Sequence, residues 1–304
     1  MNAPSTGASL SKVTADMTKK TETTATPSLE DLRREIDAID EQLHDLLIRR
    51  GEIGLAVAQA KKGTGSIFRP AREAQILRKR AAQHRGPLAL AAIIRIWREL
   101  LASMTLIQGK FSVAVHLPDG DGAYWDLARD HFGVQAQTVA HLSPGAVLRV
   151  VADDASTVGV LPWPMDGERD PWWRHLCTGD DKLPKIIGRL PAMTQPNSRS
   201  ALVVGQITLE ESGDDRTFLA VETLEEMSRT RLLSRLGKAG FDVEFITDHN
   251  DSQVPLPVWS LVEVDGFVGA DDPRIRTLIN ESAGEIGHVS IVGVYPVPLA
   301  LKKK

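Results

Sequence analysis

LRREIDAIDEQLHDLLIRRGEIGLAVAQAKK, Leu32–Lys62, decides how the first third of this chain folds. Counted from Leu29, the residues Leu32, Ile36, Ile39, Leu43, Leu46, Ile53, Val57 and Ala60 recur in alternating steps of three and four, the period of one helix face. Arg50 fills the step between Leu46 and Ile53. A cation in an apolar seam is costly unless something anionic meets it, which makes Arg50 the first candidate for a binding residue. Arg33 and Lys61 lie on or beside the same face, and Arg72 and Glu73 open the next helix. Singly, each also reads as a surface or helix-end group; together they point to a site.

Ser28, with Asp31 three residues later, suits the helix start, and no proline or glycine follows until Gly51 and Gly54. A helix reaching Lys62 is about 50 Å long at 1.5 Å per residue. It outruns a compact core, so a partner chain is expected to cover its seam. Gly63, Thr64 and Gly65 end it, and Pro70 suits the start of a second helix reaching about His84. Pro87 opens a third, which carries Leu90, Ile93, Ile94, Trp97, Leu100, Leu101, Met104 and Gln108 at helical spacing and closes near Gly109. Residues 28–110 therefore read as an all-α unit.

The 304 residues are enough for two or three domains, and one cysteine, Cys177, rules out an internal disulfide. That usage predicts a reducing, cytoplasmic location. A formal charge of -4 and a pI near 6.1 argue against a nucleic-acid partner, as do Glu35, Asp37, Asp40, Glu41 and Asp45 crowding the long helix. No apolar run approaches the length needed to span a bilayer, so no membrane partner is expected. Residues 1–27, rich in Thr, Ser, Lys and Ala, read as a disordered tail, and Lys302, Lys303 and Lys304 as a solvated end.

After Lys110 the pattern changes. Phe111 to Leu117 alternates like a strand, Gly122 to His131 resembles a short helix, and Val147 to Ala152 and Ser156 to Leu161 resemble strands, predicting an α/β domain over 111–210. From residue 211 to 304 the expected order is strand Thr217 to Val221, helix Leu224 to Lys238, strands Asp242 to Thr247 and Val258 to Val264, helix Pro273 to Ala283 and strand His288 to Val294. That is a ferredoxin-like βαββαβ unit.

The first unit resembles the all-helical chorismate mutases. The resemblance rests on Leu32–Lys62, on FRPAREAQILRKR from Phe68 to Arg80 and on IWRELLASMTLIQ from Ile96 to Gln108. It implies three helices forming an entwined homodimer, chorismate as substrate and no cofactor or metal. It places Arg33, Arg50, Lys61, Arg72, Glu73 and Gln108 in the active site. Arg33 would serve the partner subunit's pocket, and Arg50 would hold a substrate carboxylate. Lys61 and Gln108 would donate to the ether oxygen, Glu73 would accept the ring hydroxyl, and Arg72 would lie beside the hydroxyl and carboxylate region. Two positions depart from the family pattern: Arg69 stands where an aspartate is usual, and Met104 where a serine is usual.

These residue types suit the implied reaction. Claisen rearrangement of a dianion breaks a C–O bond while a C–C bond forms, and negative charge grows on the departing oxygen. Arginines pin the carboxylates so that the reacting ends meet, and donors at the ether oxygen stabilise charge that is larger in the transition state.

Residues 111–210 stand where fused relatives carry prephenate dehydratase, and GVLPWPMDG at Gly159 to Gly167 resembles a degenerate Pro-x-Glu-Asn-Ser stretch, with Pro164, Met165 and Asp166 in place of Glu-Asn-Ser. The Thr-Arg-Phe segment is echoed by Ser198, Arg199 and Ser200. These losses imply an inactive relic with a scaffold or regulatory role. Residues 211–304 resemble the ACT fold in element order, but Glu222, Thr223, Leu224 and Glu225 replace the Pro-Gly-Ala-Leu turn of members that bind an amino acid. The implied role is dimerisation or an aromatic amino acid effector site. The alternatives to a plain mutase are a bifunctional mutase/dehydratase and a non-catalytic partner of an aromatic-pathway enzyme, the latter favoured by Arg69 and Met104.

Overall fold

The computed structural model describes residues 27–61, 66–118, 122–168, 170–177, 183–194, 199–224, 227–251 and 254–300. The expected tail before Pro27, the Gly63-Thr64-Gly65 stop, Glu225, Ser198 and the terminal lysines lie outside these residues. The chain divides into two compact units at Arg50/Gly51.

The first unit is the leading part of helix α1, Leu29–Lys61. Its start is a reciprocal capping box. Asp31 N donates to Ser28 Oγ at 3.1 Å, and the Asp31 carboxylate accepts from Ser28 N at 3.2 Å and Ser28 Oγ at 2.6 Å. These bonds hold the Asp31 carboxyl below its ordinary range. The amphipathic stripe is present, yet α1 contains no buried residue. Ile36, Leu43 and Leu46 are 55%, 53% and 62% exposed.

The second unit contains the rest of α1, helices α2, Pro70–Gln83, and α3, Leu90–Gln108, and the sheet region. Gly54 lets α1 approach α3: a Cβ there would meet Ile107 Cδ1 at 3.0 Å and Met104 Sδ at 3.4 Å. The glycine that interrupts the helical sequence thus makes a helix contact.

Strands β1, Ser112–His116, β2, Gln137–His141, and β3, Thr157–Pro162, are parallel and ordered β2-β1-β3. Helix α4, Ala123–Phe132, covers one face through Ala128 and Phe132 packed with Val113, Val115 and Val160. Helix α5, Pro144–Asp153, covers the other through Val147, Leu148 and Val151 packed with Ala114 and Leu161. This corrects the strand expected at Val147 to Ala152. The β-branched residues suggested a strand, but Ser143 Oγ accepts from Ala146 N at 3.3 Å, Pro144 sits in the first turn, and the buried residues follow helical spacing.

Beyond β3 come a 3-10 turn, Trp172–Leu176, and strands β4, Lys185–Leu190, β5, Met193–Thr194, and β6, Ala201–Gly205. The βαββαβ series then follows as β7, Asp215–Thr223, α6, Arg229–Lys238, β8, Val243–Asp251, β9, Val254–Asp265, α7, Pro273–Asn280, and β10, Ile286–Pro296. Helix α6 starts later than the expected Leu224, at the Ser228 cap, whose Oγ accepts from Arg231 N. Strands β10-β7-β9-β8 pair antiparallel with one another and enclose a core with Leu219, Val221, Leu232, Leu236 and Leu278.

No gap in the sheet marks residue 210. The order β2-β1-β3-β6-β4-β10-β7-β9-β8 runs as one nine-stranded sheet. The two halves meet where β10 pairs with β4 at Gly293 and Ile186. A Cβ on Gly293 would overlap the Ile186 carbonyl, so this closure requires glycine. A short strand β11, Leu299–Ala300, pairs with β5.

Candidate active site

On α1, Arg33 is exposed and Arg50 is half-buried. Arg50 Nη1 is buried with no hydrogen-bond partner among the described residues, and desolvation lowers the guanidinium pKa. An arginine still carries its charge under these conditions, so a partly desolvated cation sits on the seam.

In the second unit, Lys61 ends α1, and its Nζ donates to Ser66 O at 3.4 Å. It borders a pocket of about 290 Å³ whose wall includes Phe68, Arg69, Ile187, Ile207 and Glu210. Gln108 ends α3, and its Nε2 donates to Met104 O at 2.8 Å. The Gly54 contact brings the helices of Lys61 and Gln108 together.

Arg72 and Glu73, adjacent in α2, diverge: Arg72 is exposed, whereas Glu73 is 7% exposed. Glu73 does not line the Lys61 pocket. Its Oε2 accepts from Arg98 Nη1 at 2.6 Å, and Arg98, 5% exposed, also donates to His131 O through Nε at 3.1 Å and Nη2 at 2.6 Å. The pair joins α2 to α3 and, through that carbonyl, to the end of α4. Burial and then the Arg98 charge hold the His131 imidazole well below its ordinary pKa.

Sequence reasoning overlooked Arg98. The signal was the one that found Arg50, because Arg98 lies four residues after Ile94 and three before Leu101, both buried on α3. Arg69, which departs from the family pattern, has a partner here. Its Nη2 donates to both Glu210 oxygens at 2.9 Å and its Nε to Oε2 at 3.2 Å. Asp166, in the Gly159 to Gly167 stretch, pairs with Arg229 at 2.9 Å, which depresses its pKa. No helix among the described residues is long and apolar enough to cross a membrane.

Residues 32–109, which span nearly all of α1, α2 and α3, match the family described as chorismate mutase type II. The chain is similar to the bifunctional chorismate mutase/prephenate dehydratase of Neisseria gonorrhoeae, 32% identical over 108 residues, or 36% of this chain and 29% of that one. The match therefore spans under a third of the relative's length. Among solved structures, the chain is similar to GqqA, described as a novel type of quorum quenching acylase, at 18% identity and TM-score 0.48, covering 62% of this chain and 96% of that one. It is also similar to prephenate dehydratase from Streptococcus mutans, at 16% identity and TM-score 0.44, covering 63% and 100%.

Proposed function

We propose that the chain is a chorismate mutase that rearranges chorismate to prephenate in aromatic amino acid biosynthesis, acting in the cytoplasm as a homodimer. The observation that carries this reading is Arg50: inside a segment matching the mutase family, it keeps a buried guanidinium nitrogen without a partner among the described residues. Arg50 holds one carboxylate of the substrate, and Arg33 reaches the pocket of the second subunit. Lys61 and Gln108 donate to the ether oxygen, and Arg72 lies near the hydroxyl and carboxylate end. Glu73 accepts the ring hydroxyl in the family pattern; in this chain Arg98 already holds its Oε2. The work is positioning plus stabilisation of charge that grows in the transition state.

The exposed stripe on α1 supports the dimer, since a second copy would cover Leu32, Ile36, Ile39, Leu43 and Leu46. For the sheet region we propose a scaffold or regulatory role, with dimerisation or an aromatic amino acid effector assigned to residues 211–304. A bifunctional mutase/dehydratase is the second reading, favoured by the function of the Neisseria relative.

The test follows loss of chorismate absorbance, with products identified, for wild type and Arg50→Ala. Prephenate alone, with at least about a hundredfold loss in the variant, supports the mutase. Phenylpyruvate as a further product supports the bifunctional reading. Unchanged chorismate with retained binding makes the helical domain a binding module.

A further inference from the structure

Helix α2 carries two residues of the proposed site, Arg72 and Glu73, and five residues after Glu73 an arginine that the mutase reading leaves without a role. Arg78 reaches away from the helical domain. Its Nη1 donates to Ser212 O at 3.1 Å and Ser212 Oγ at 2.9 Å, and its Nη2 to Asp214 O at 2.5 Å and Val297 O at 3.2 Å. Ser212 and Asp214 immediately precede β7, and Val297 immediately follows β10. One guanidinium therefore grips the chain where the βαββαβ unit begins and where it ends.

The gripped segment is itself tightly built. Buried Asp215 accepts from Ser212 N at 2.8 Å, Ser212 Oγ at 2.5 Å and Gly213 N at 3.2 Å. Val297 N donates to Asp214 O at 2.9 Å, and Asp215 is in register with Pro296 across β7 and β10. Gly213 has φ +96, a left-handed conformation suited to glycine, which lets the turn close. Three carbonyls and a hydroxyl converging on one planar fork suit arginine; an ammonium, with its donors on one atom, does not span them.

We propose that Arg78 is a positioning residue that fixes α2, and with it Arg72 and Glu73, to both ends of the βαββαβ unit, so that displacement of that unit alters turnover at the helical site. The effect on turnover rests on the mutase reading; the clamp does not. A ligand or a second copy bound to the βαββαβ unit would act through the β7 and β10 ends, and Arg78 is the side chain that carries the shift to α2.

The experiment uses the full chain and compares wild type, Arg78→Ala, Arg78→Lys and Ser212→Ala by amide hydrogen exchange and by chorismate turnover. Arg78→Ala should speed exchange within residues 70–83 by about tenfold or more, the scale of lost charge-assisted hydrogen bonds, while exchange in β1 and β3 stays unchanged. Its kcat should fall, and added methylguanidinium should restore part of both the rate and the α2 protection. Arg78→Lys should behave like the alanine variant, and Ser212→Ala should shift both readouts the same way by less. Wild-type behaviour in Arg78→Ala or Arg78→Lys overturns the proposal. So does faster exchange spread evenly through the chain, which marks general destabilisation. If wild type does not convert chorismate, the mutase reading fails, and the exchange pattern alone decides the clamp.

Discussion

Arg50 on α1 and Glu73 on α2 are proposed for one site, and the two helices treat them in opposite ways. Along α1, 33 residues contain none that is buried, and Arg50 keeps a guanidinium nitrogen without a partner among the described residues. Along α2, 14 residues include buried Ala71, Glu73 and Leu77, and Glu73 is ion-paired to Arg98. The difference teaches that a charge in a helical seam has two fates. Where it meets an internal counter-charge, as Glu73 meets Arg98, it ties elements together; where it does not, as at Arg50 Nη1, it is left without a hydrogen-bond partner among the described residues. A motif lists both kinds alike, and the structure separates them.

The sharpest way to break this comparison is to remove one charge from each helix. Glu73→Ala leaves Arg98 buried without its carboxylate and should cost about 3–5 kcal/mol in a urea titration. The double variant Glu73→Leu with Arg98→Met should recover most of that loss, because well-packed apolar pairs replace buried ion pairs at little cost. Arg50→Ala should stay within about 0.5 kcal/mol of wild type while chorismate turnover collapses. Equal stability losses at the two positions would erase the distinction.

A second test addresses the uncovered stripe. Ile39→Glu with Leu43→Glu places charges in the proposed subunit seam and should weaken self-association by about a hundredfold or more in sedimentation velocity, the scale of desolvating two carboxylates. A variant that sediments as wild type does would mean that α1 is not the interface.

Much of this organisation was legible in the chain itself. The α1 capping box, the three helices and the βαββαβ order follow from periodicity, caps and turn residues, all local signals. Helix α5 was misread because Val147, Val150 and Val151 favour strands, and the Ser143–Pro144 cap outweighed that propensity. The single nine-stranded sheet was not legible, because the pairing of Gly293 with Ile186 joins segments more than a hundred residues apart. At the site, identities could be read but engagements could not. Nothing near Glu73 in sequence announces Arg98, and nothing near Arg69 announces Glu210.

The α2 tie can be probed more finely through pH. His131 offers its carbonyl to Arg98 while its ring, packed edge-on at 4.7 Å from Phe132, is kept neutral by burial and by the Arg98 charge. Unfolding frees the ring to titrate near its ordinary value of about 6.5. Below that pH the unfolded chain binds a proton that the folded chain does not. The stability contributed by neutral His131 is therefore present above about pH 6.5 and lost as pH falls toward 5, with a slope of at most about 1.4 kcal/mol per pH unit. His131→Gln should flatten that part of the stability profile relative to wild type. Parallel profiles for the two proteins would place the acid sensitivity elsewhere.

The smallest expected effect bears most directly on why Arg69 departs from the family pattern. Its bond to Glu210 is forked, but the two side chains are 47% and 40% exposed, and solvent screens such pairs. Arg69→Ala should therefore cost no more than about 1 kcal/mol, and less in high salt. Arg69→Asp restores the carboxylate usual at this position yet sets it against Glu210, so it should destabilise more than alanine. Reversing the partner as well, Arg69→Asp with Glu210→Arg, should return most of the loss. If the swap also raises chorismate turnover, the site benefits from the missing carboxylate, and the chain has exchanged a substrate contact for a tie between α2 and the sheet region. If turnover stays at the wild-type level while stability follows the charges, Arg69 serves as a tie between α2 and the sheet region and takes no part in turnover.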